Sequence, residues 1–188
     1  MALMRILEKL FPARILSVAV IALTAAGSSG AAQAPHVVLS GATTSVFVAP
    51  QEPGPVLRAA KDLQRDFAKV FGTAPKIGND LTASGPVTLV IAEAENVPAE
   101  LGCAESTDRE SFTFSVVNSG DGSAKRQVVC LVGADMRGTI YAIYEFSQKV
   151  LGVDPMYLWT DKEPAKRVSI ALPADFAHTY PSPIFKYR

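Results

Sequence analysis

This sequence has no excess of charge of either sign. Lysine plus arginine and aspartate plus glutamate number 18 each, so the formal net charge at pH 7 is zero, and charged residues make up only 19% of the 188 residues. A nucleic-acid-binding protein normally carries a basic excess or a basic face, so the composition disfavours that class. The 48% share of hydrophobic residues is typical of a globular chain and not of a disordered one.

Residues that hold metals and cofactors are also scarce. There are two cysteines, Cys103 and Cys130, and two histidines, His36 and His178, and none stands in a C-x-x-C or H-x-x-x-H spacing. Structural zinc sites need about four such ligands at short spacings, so we expect no metal site. We expect no other cofactor and assign no catalytic residue, because the sequence has neither a serine nucleophile elbow nor a histidine with an assignable partner.

One segment has the position of a phosphate loop without its lysine. Residues 133–139 follow a predicted strand and match G-x-x-x-x-G before a threonine, but the lysine that contacts nucleotide phosphates in a P-loop is missing. We therefore interpret the segment structurally. Asp135 is predicted to cap the N-terminus of a helix, and Gly138 to let that helix approach the sheet closely.

The N-terminal segment combines basic residues with an apolar run. Arg5, Lys9 and Arg14 precede the uncharged residues 15–26, and small residues follow. This order is typical of a secretory signal peptide, and the run is shorter than the roughly 20 residues that span a membrane. We predict that residues 1–34 are a signal peptide and that the protein is secreted or periplasmic, with no membrane partner after cleavage.

An oxidising compartment permits a disulfide between the two cysteines. Cys130 lies in the apolar run 128–132, where a buried free thiol that packs as a small hydrophobic side chain is the simpler interpretation. A bridge from Cys130 to Cys103 is the alternative.

Hydrophobic periodicity predicts two amphipathic helices. Apolar residues recur at three- and four-residue steps over 55–71 and 136–151, and each segment is followed by a glycine. In the first helix the charged residues, Asp66 among them, are predicted to face solvent. In the second helix Ile143 and Tyr144 are predicted to lie on the same buried face.

Short β-type runs alternate with these helices and predict the sheet. The first two runs are expected to form a hairpin or one bent strand, and the fourth and fifth an antiparallel pair. The runs lie at 37–39, 46–48, 87–92, 112–116, 128–132 and 168–172. Since strands flank both helices, we predict a mixed β-sheet with two amphipathic helices packed on it, an α/β sandwich forming one domain over residues 35–178. Residues 179–188 are predicted to be a linker.

A short loop after the second helix concentrates aromatic and acidic residues. Tyr157, Trp159 and Asp161 stand between the helix stop and the last predicted strand. An aromatic ring beside a carboxylate can stack on a sugar and bind its hydroxyl groups, so these three residues are the candidate substrate-binding site; the alternative is that both rings plug the edge of the core.

Several of these segments resemble a known family. The resemblance rests on Arg137-Gly138-Thr139-Ile140-Tyr141-Ala142-Ile143-Tyr144, Gly152-Val153-Asp154-Pro155, Tyr157, Trp159, Asp161, Pro181-Ser182 and Lys186-Tyr187-Arg188. Together they are similar to the N-terminal part of glycoside hydrolase family 115, the xylan α-1,2-glucuronidases. The first block also shows a weaker likeness to the N-terminal α/β domains of other α-glucuronidases and of β-hexosaminidases.

The resemblance implies a non-catalytic N-terminal accessory domain of an α-glucuronidase-like enzyme that acts on uronic-acid-substituted xylan. In that family the acidic catalytic residues belong to a barrel that follows this domain. Such a barrel takes about 250 residues. The barrel and the glycan are therefore the expected partners. Met156 and Leu158 depart from the pattern, because they stand where the family tends to have further tryptophans. A free-standing carbohydrate-binding module that uses the aromatic loop is the alternative.

Overall fold

The computed structural model describes residues 36–119 and 126–184. The predicted signal peptide and residues 185–188 lie outside the described residues. Eight strands and three α-helices are assigned: β1 (His36–Leu39), β2 (Thr44–Val48), α1 (Gly54–Phe71), β3 (Lys76–Gly78), β4 (Val87–Glu93), β5 (Phe112–Ser119), β6 (Arg126–Gly133), α2 (Met136–Phe146), α3 (Tyr157–Thr160), β7 (Ile170–Pro173) and β8 (Ala177–Tyr180). Within the described ranges no helix is both long and apolar enough to cross a membrane.

Six strands form one mixed sheet in the order β3-β2-β4-β6-β5-β8. Strands β3, β2, β4 and β6 are parallel, whereas β5 and β8 are antiparallel to their neighbours. The predicted antiparallel pair is confirmed, with Phe114 opposite Leu131. The mixed sheet with two long helices is the predicted fold class.

Helix α1 begins and ends as its sequence indicates. Proline occupies its first turn, where a missing N–H costs nothing, and Gly72 ends it in the left-handed conformation at φ 77°. Its apolar residues are buried as predicted: Val56, Ala59, Ala60, Leu63, Phe67 and Val70. The prediction for Asp66 was wrong, because this residue is also buried in the helix interface.

Helix α2 is capped by Asp135, whose Oδ1 accepts a 2.8 Å hydrogen bond from the backbone N–H of Gly138, as predicted. After Phe146 the backbone continues as a π-helical turn, Ser147–Leu151, and stops at Gly152 with φ 77°. Ile143 is buried, but Tyr144 is 47% exposed. The buried face therefore differs from the predicted one: it passes through Ala142 and Phe146 and leaves Tyr144 on the surface.

Both helices cover the same face of the sheet. Residues of α1 and α2 share one buried cluster with inward residues of the strands, among them Val46, Leu89, Phe114 and Leu131. The opposite face holds a smaller cluster around Val90 and Cys130, covered by single-turn helices such as Ala99–Leu101. A disulfide joins Cys103 of that covering segment to Cys130 of β6. Cys130 therefore forms a disulfide and is not a free thiol.

Two features of the termini differ from the sequence prediction. Strand β1 pairs antiparallel with β7, Val37 opposite Leu172, in a separate two-stranded ribbon, so it forms neither a hairpin nor one bent strand with β2. The proline-rich tail contains an unpredicted strand, β8, which pairs with β5. This strand crosses the predicted boundary at residue 178, since Tyr180 is paired with Phe112.

Candidate functional site

The predicted aromatic loop forms the one-turn helix α3 and the residues around it. Tyr157 is half-buried and packs against the main hydrophobic cluster. The Nζ atom of Lys69, from α1, lies 4.9 Å from the centroid of the Tyr157 ring. Lys69 Nζ also donates hydrogen bonds of 2.8 Å to both carboxylate oxygens of Glu163. These bonds raise the pKa of Lys69, so the lysine stays charged over the Tyr157 ring.

Trp159 has a different environment from Tyr157. Its side chain is 76% exposed, in a short apolar stretch with Met156 and Leu158 that is more than half exposed throughout. Residues two apart in a helix do not face each other, so Tyr157 and Trp159 do not form one continuous aromatic platform. Tyr157 plugs the core edge, and Trp159 is the ring that is available to a ligand.

Asp161 ends this turn and is exposed. Its backbone adopts the left-handed conformation at φ 53°, which non-glycine residues adopt rarely but Asp tolerates better than most. Its carbonyl oxygen accepts a 3.2 Å hydrogen bond from the backbone N–H of Glu163. Asp161 and Trp159 are therefore two exposed residues of the same short turn.

A cleft of about 590 Å³ opens at the base of this loop, where Pro155 contributes to its wall. Three tyrosines from α2 and β8, together with Phe112, give it an aromatic lining: Tyr141, Tyr144 and Tyr180. Its volume lies within the range of small-molecule sites, roughly 300–1,000 Å³. The cleft was missed by the sequence analysis, because it needs β8 beside β5 and the exposed face of α2.

The carboxylates at this cleft are engaged with neighbouring side chains. Glu110 is 4% exposed, and its Oε1 accepts contacts of 2.9 Å from Arg109 and 3.0 Å from Arg137. Burial, the charge of Glu145 and a hydrogen bond to Glu145 raise the pKa of Tyr180. These contacts join residues that line the cleft, and no spacing along the chain indicates the group around Glu110.

Tyr144 is fixed in a similar way at the outer rim. Its hydroxyl donates a 2.7 Å hydrogen bond to Oδ2 of Asp62. Partial burial, followed by this hydrogen bond and the charge of Asp62, raises the pKa of Tyr144 to about 12. The ring is therefore a neutral hydrogen-bond donor at physiological pH, with one face toward solvent.

Glycoside hydrolysis requires two carboxyl groups about 5–10 Å apart that are free to transfer protons or attack the sugar. The buried carboxylates of the described chain serve the fold instead. Glu52 accepts backbone and amide hydrogen bonds from Glu93 and Asn96, Asp66 binds the Ser147 hydroxyl, and Glu110 binds two arginines. Within residues 36–119 and 126–184, no group of three His, Cys, Asp or Glu side chains is placed to hold a metal ion.

Comparison with solved structures gives the class of protein to which this fold is related. A family GH115 4-O-methyl-α-glucuronidase with specificity for decorated arabinogalactans matches 76% of this chain at 23% identity and a TM-score of 0.60. A β-hexosaminidase from Streptomyces plicatus matches 82% of the chain at 12% identity and a TM-score of 0.50. No protein-family model matches the sequence, and no curated protein matches it.

The matches establish a shared fold: this chain folds like a region of these glycoside hydrolases. The chain spans 18% of the glucuronidase and 25% of the hexosaminidase. Most of each enzyme therefore lies outside the region that aligns with this chain.

Proposed function

We propose that this chain is the N-terminal, non-catalytic domain of an exported α-glucuronidase-like glycoside hydrolase that acts on uronic-acid-substituted plant polysaccharide such as xylan. The observation that carries the proposal is the fold similarity to a GH115 glucuronidase over 76% of the chain, although the chain spans only 18% of that enzyme. That enzyme is described as specific for decorated arabinogalactans. The hydrolysis test below therefore uses decorated arabinogalactan as well as xylan.

The state of the carboxylates supports a non-catalytic role. A general acid or a nucleophile must be able to change its partner during the reaction, whereas Asp66 and Glu110 are buried in contacts with a serine hydroxyl and two arginines. The catalytic acids are then supplied by a barrel in the same polypeptide. The domain supports that barrel, and Trp159 and Asp161 lie at the rim of its cleft.

The exposed apolar stretch on α3 supports this arrangement. Met156, Leu158 and Trp159 are each more than half exposed, and exposed apolar side chains clustered in one short turn are common at interaction sites. A neighbouring domain that covers Met156 and Leu158 leaves Trp159 at the margin, where it can reach a sugar. Secretion or periplasmic localisation follows from the predicted signal peptide, and the glycan is the external partner.

The test is hydrolysis by the purified chain and by a longer product of the same gene that includes the downstream barrel. We expect the chain alone to release no glucuronic acid from glucuronoxylan or from decorated arabinogalactan, and the longer product to release it from at least one of them. Clear turnover by the chain alone would overturn the proposal. So would a gene that encodes no barrel in frame with this chain.

A free-standing carbohydrate-binding module is the second candidate, and the exposure of Trp159 favours it. The chain has a single tryptophan, so its fluorescence reports on this position alone. A binding module predicts that acidic xylo-oligosaccharides change this fluorescence. Leu158→Ala is a matched control, because Leu158 is 71% exposed on the same turn but has no ring that stacks on sugar. A flat titration of the wild-type chain removes this candidate.

A further inference from the structure

Three nitrogen-bearing side chains from separate parts of the fold line one cavity, which shares Tyr180 with the larger cleft. Lys149 comes from the π-helical turn after α2, Arg167 from the segment before β7, and His178 from β8. The cavity has a volume of about 450 Å³. None of the three residues belongs to the aromatic loop or to the larger cleft described above.

The lining of this cavity has no balancing negative charge. Among the described residues that form it, none is Asp or Glu. Glu145, which bonds to Tyr180, lines the larger cleft and not this one. Like charges in one small cavity repel each other unless an anion lies between them.

The backbone of Arg167 is anchored at the end of α1, and its side chain is exposed. Its backbone N–H donates a 2.8 Å hydrogen bond to the carbonyl oxygen of Val70 at the end of α1. Its guanidinium lies over Gly152, since a Cβ atom added to that glycine would be 3.6 Å from Nη2. A guanidinium at the rim of a cavity suits a carboxylate, because its fork of donors matches the two carboxylate oxygens.

The rest of the cavity is aromatic and apolar. Phe114 is fully buried and contacts the half-buried rings of Phe176 and Tyr180, with centroids 6.5 and 5.3 Å apart. The His178 ring lies edge-on to Tyr180 at 4.5 Å. The site thus combines partly exposed ring faces with two exposed positive charges. The ring faces offer stacking to a flat or puckered ring, and the charges offer ion pairing to an acid group on that ring.

We propose that this cavity binds the carboxylated sugar ring of a uronic acid residue. The carboxylate pairs with Arg167 and Lys149, and the C–H face of the sugar packs on Phe176 and Tyr180. The choice of a sugar over another carboxylated ring rests on the proposed function in a glycan-degrading enzyme. Inorganic phosphate has no ring to use the aromatic wall, and a neutral sugar leaves both cations unpaired.

The experiment is a titration of the purified chain, followed by two-dimensional amide NMR, with methyl glucuronoside, methyl glucoside and benzoate as probes. We expect methyl glucuronoside to bind with a dissociation constant on the order of 1 mM and to shift the amides of residues 149, 167 and 178. Methyl glucoside is expected to bind at least about tenfold more weakly, because the charge-assisted bonds are lost.

Lys149→Gln removes one cation from an exposed position and is expected to weaken glucuronoside binding about tenfold. Lys61→Gln, on the exposed face of α1 and away from the cavity, is the matched control and should leave binding unchanged. Arg167→Gln is expected to weaken binding further, with the amide spectrum used to verify that the variant is folded.

Equal binding of glucuronoside and glucoside would overturn the proposal, as would benzoate shifting these amides while glucuronoside does not. Unchanged binding by Lys149→Gln, or shifts confined to residues near Trp159, would also overturn it. These outcomes can be told apart from a failure of the proposed function. The proposed function fails if the chain alone hydrolyses the glycan or if the gene encodes no barrel. The uronic acid site fails if binding has the wrong specificity or lies elsewhere on the chain.

Discussion

The hydroxyl of Ser147 donates a 2.5 Å hydrogen bond to Oδ2 of Asp66 across the interface of α1 and the turn that follows α2. Both residues are buried, with exposed fractions of 3% and 7%. Ser147 begins the π-helical turn, and such turns re-aim side chains within a helix. The bond is a buried polar contact between α1 and this turn, and the exposed Tyr144–Asp62 hydrogen bond also joins α1 to α2.

The first prediction concerns the pH dependence of stability at Asp66. Burial raises the pKa of Asp66, although the Ser147 hydrogen bond opposes the shift. A carboxyl group whose pKa is higher in the folded than in the unfolded chain destabilises the fold progressively as pH rises above the unfolded value, roughly 3.9. Asp66→Asn cannot ionise and still accepts the Ser147 bond. We expect its stability relative to wild type to increase as urea unfolding is measured from pH 4 to pH 7.

The matched variant is Ser147→Ala. It removes the group that stabilises the charged form of Asp66, so the loss of stability with rising pH should be steeper than in wild type. The hydrogen bond to a buried charged group also contributes about 1.5–3 kcal/mol. Parallel pH profiles for wild type, Asp66→Asn and Ser147→Ala would contradict this assignment.

The second prediction concerns the disulfide between Cys103 and Cys130. The cysteines are 27 residues apart, and closing a loop of this length stabilises a fold by about 3–4 kcal/mol through the unfolded chain. The bridge also pins the segment that covers the smaller hydrophobic cluster. Cys103→Ser should therefore lower the free energy of unfolding by about this amount, measured with urea under oxidising conditions. A reductant should lower wild-type stability and leave Cys103→Ser unchanged; no effect of reductant on wild type would contradict the bridge.

The sequence predicted local structure well and long-range pairing poorly. The helix at α1 and the Asp135 cap depend on residues within a few positions of each other, so periodicity and capping rules identify them. Burial of Asp66 depends on Ser147, 81 residues away, and no local pattern shows that contact. The ribbon of β1 with β7 is equally non-local.

The candidate site shows the same difference between local and long-range features. Tyr157 and Trp159 are recognisable from the sequence as aromatic residues in one loop, but their different exposure depends on where Lys69 and α1 lie. The cavity around Arg167 needs three separate segments to meet, so spacing along the chain contains no signal for it.

The third prediction tests the close approach of α2 to the rest of the domain. A Cβ atom on Gly138 would lie 2.4 Å from the carbonyl oxygen of Ser111, just before β5. Backbone must move to relieve this contact, so Gly138→Ala should destabilise the fold by at least about 2–3 kcal/mol. Gly54→Ala is the control, because a Cβ there would meet nothing within 4 Å, and its effect should be neutral or slightly stabilising. Equal unfolding midpoints for the two variants would show that the helix packs less closely.

The last prediction concerns Asp135, which links α2 to the ion-paired Glu110 group. Its Oδ1 accepts from the backbone N–H of Gly138 and its Oδ2 from the backbone N–H of Glu110, each at 2.8 Å. Asp135→Ala loses the helix cap, about 0.5–2 kcal/mol, and also leaves the N–H of Glu110 without this acceptor, so we expect a total loss of about 2–3 kcal/mol in urea unfolding. Asp135→Asn keeps one acceptor and should fall between the alanine variant and wild type. Asp80→Ala, at an exposed cap of a single turn, should cost less than Asp135→Ala; if the two costs were equal, Asp135 would be an ordinary cap with no linking role.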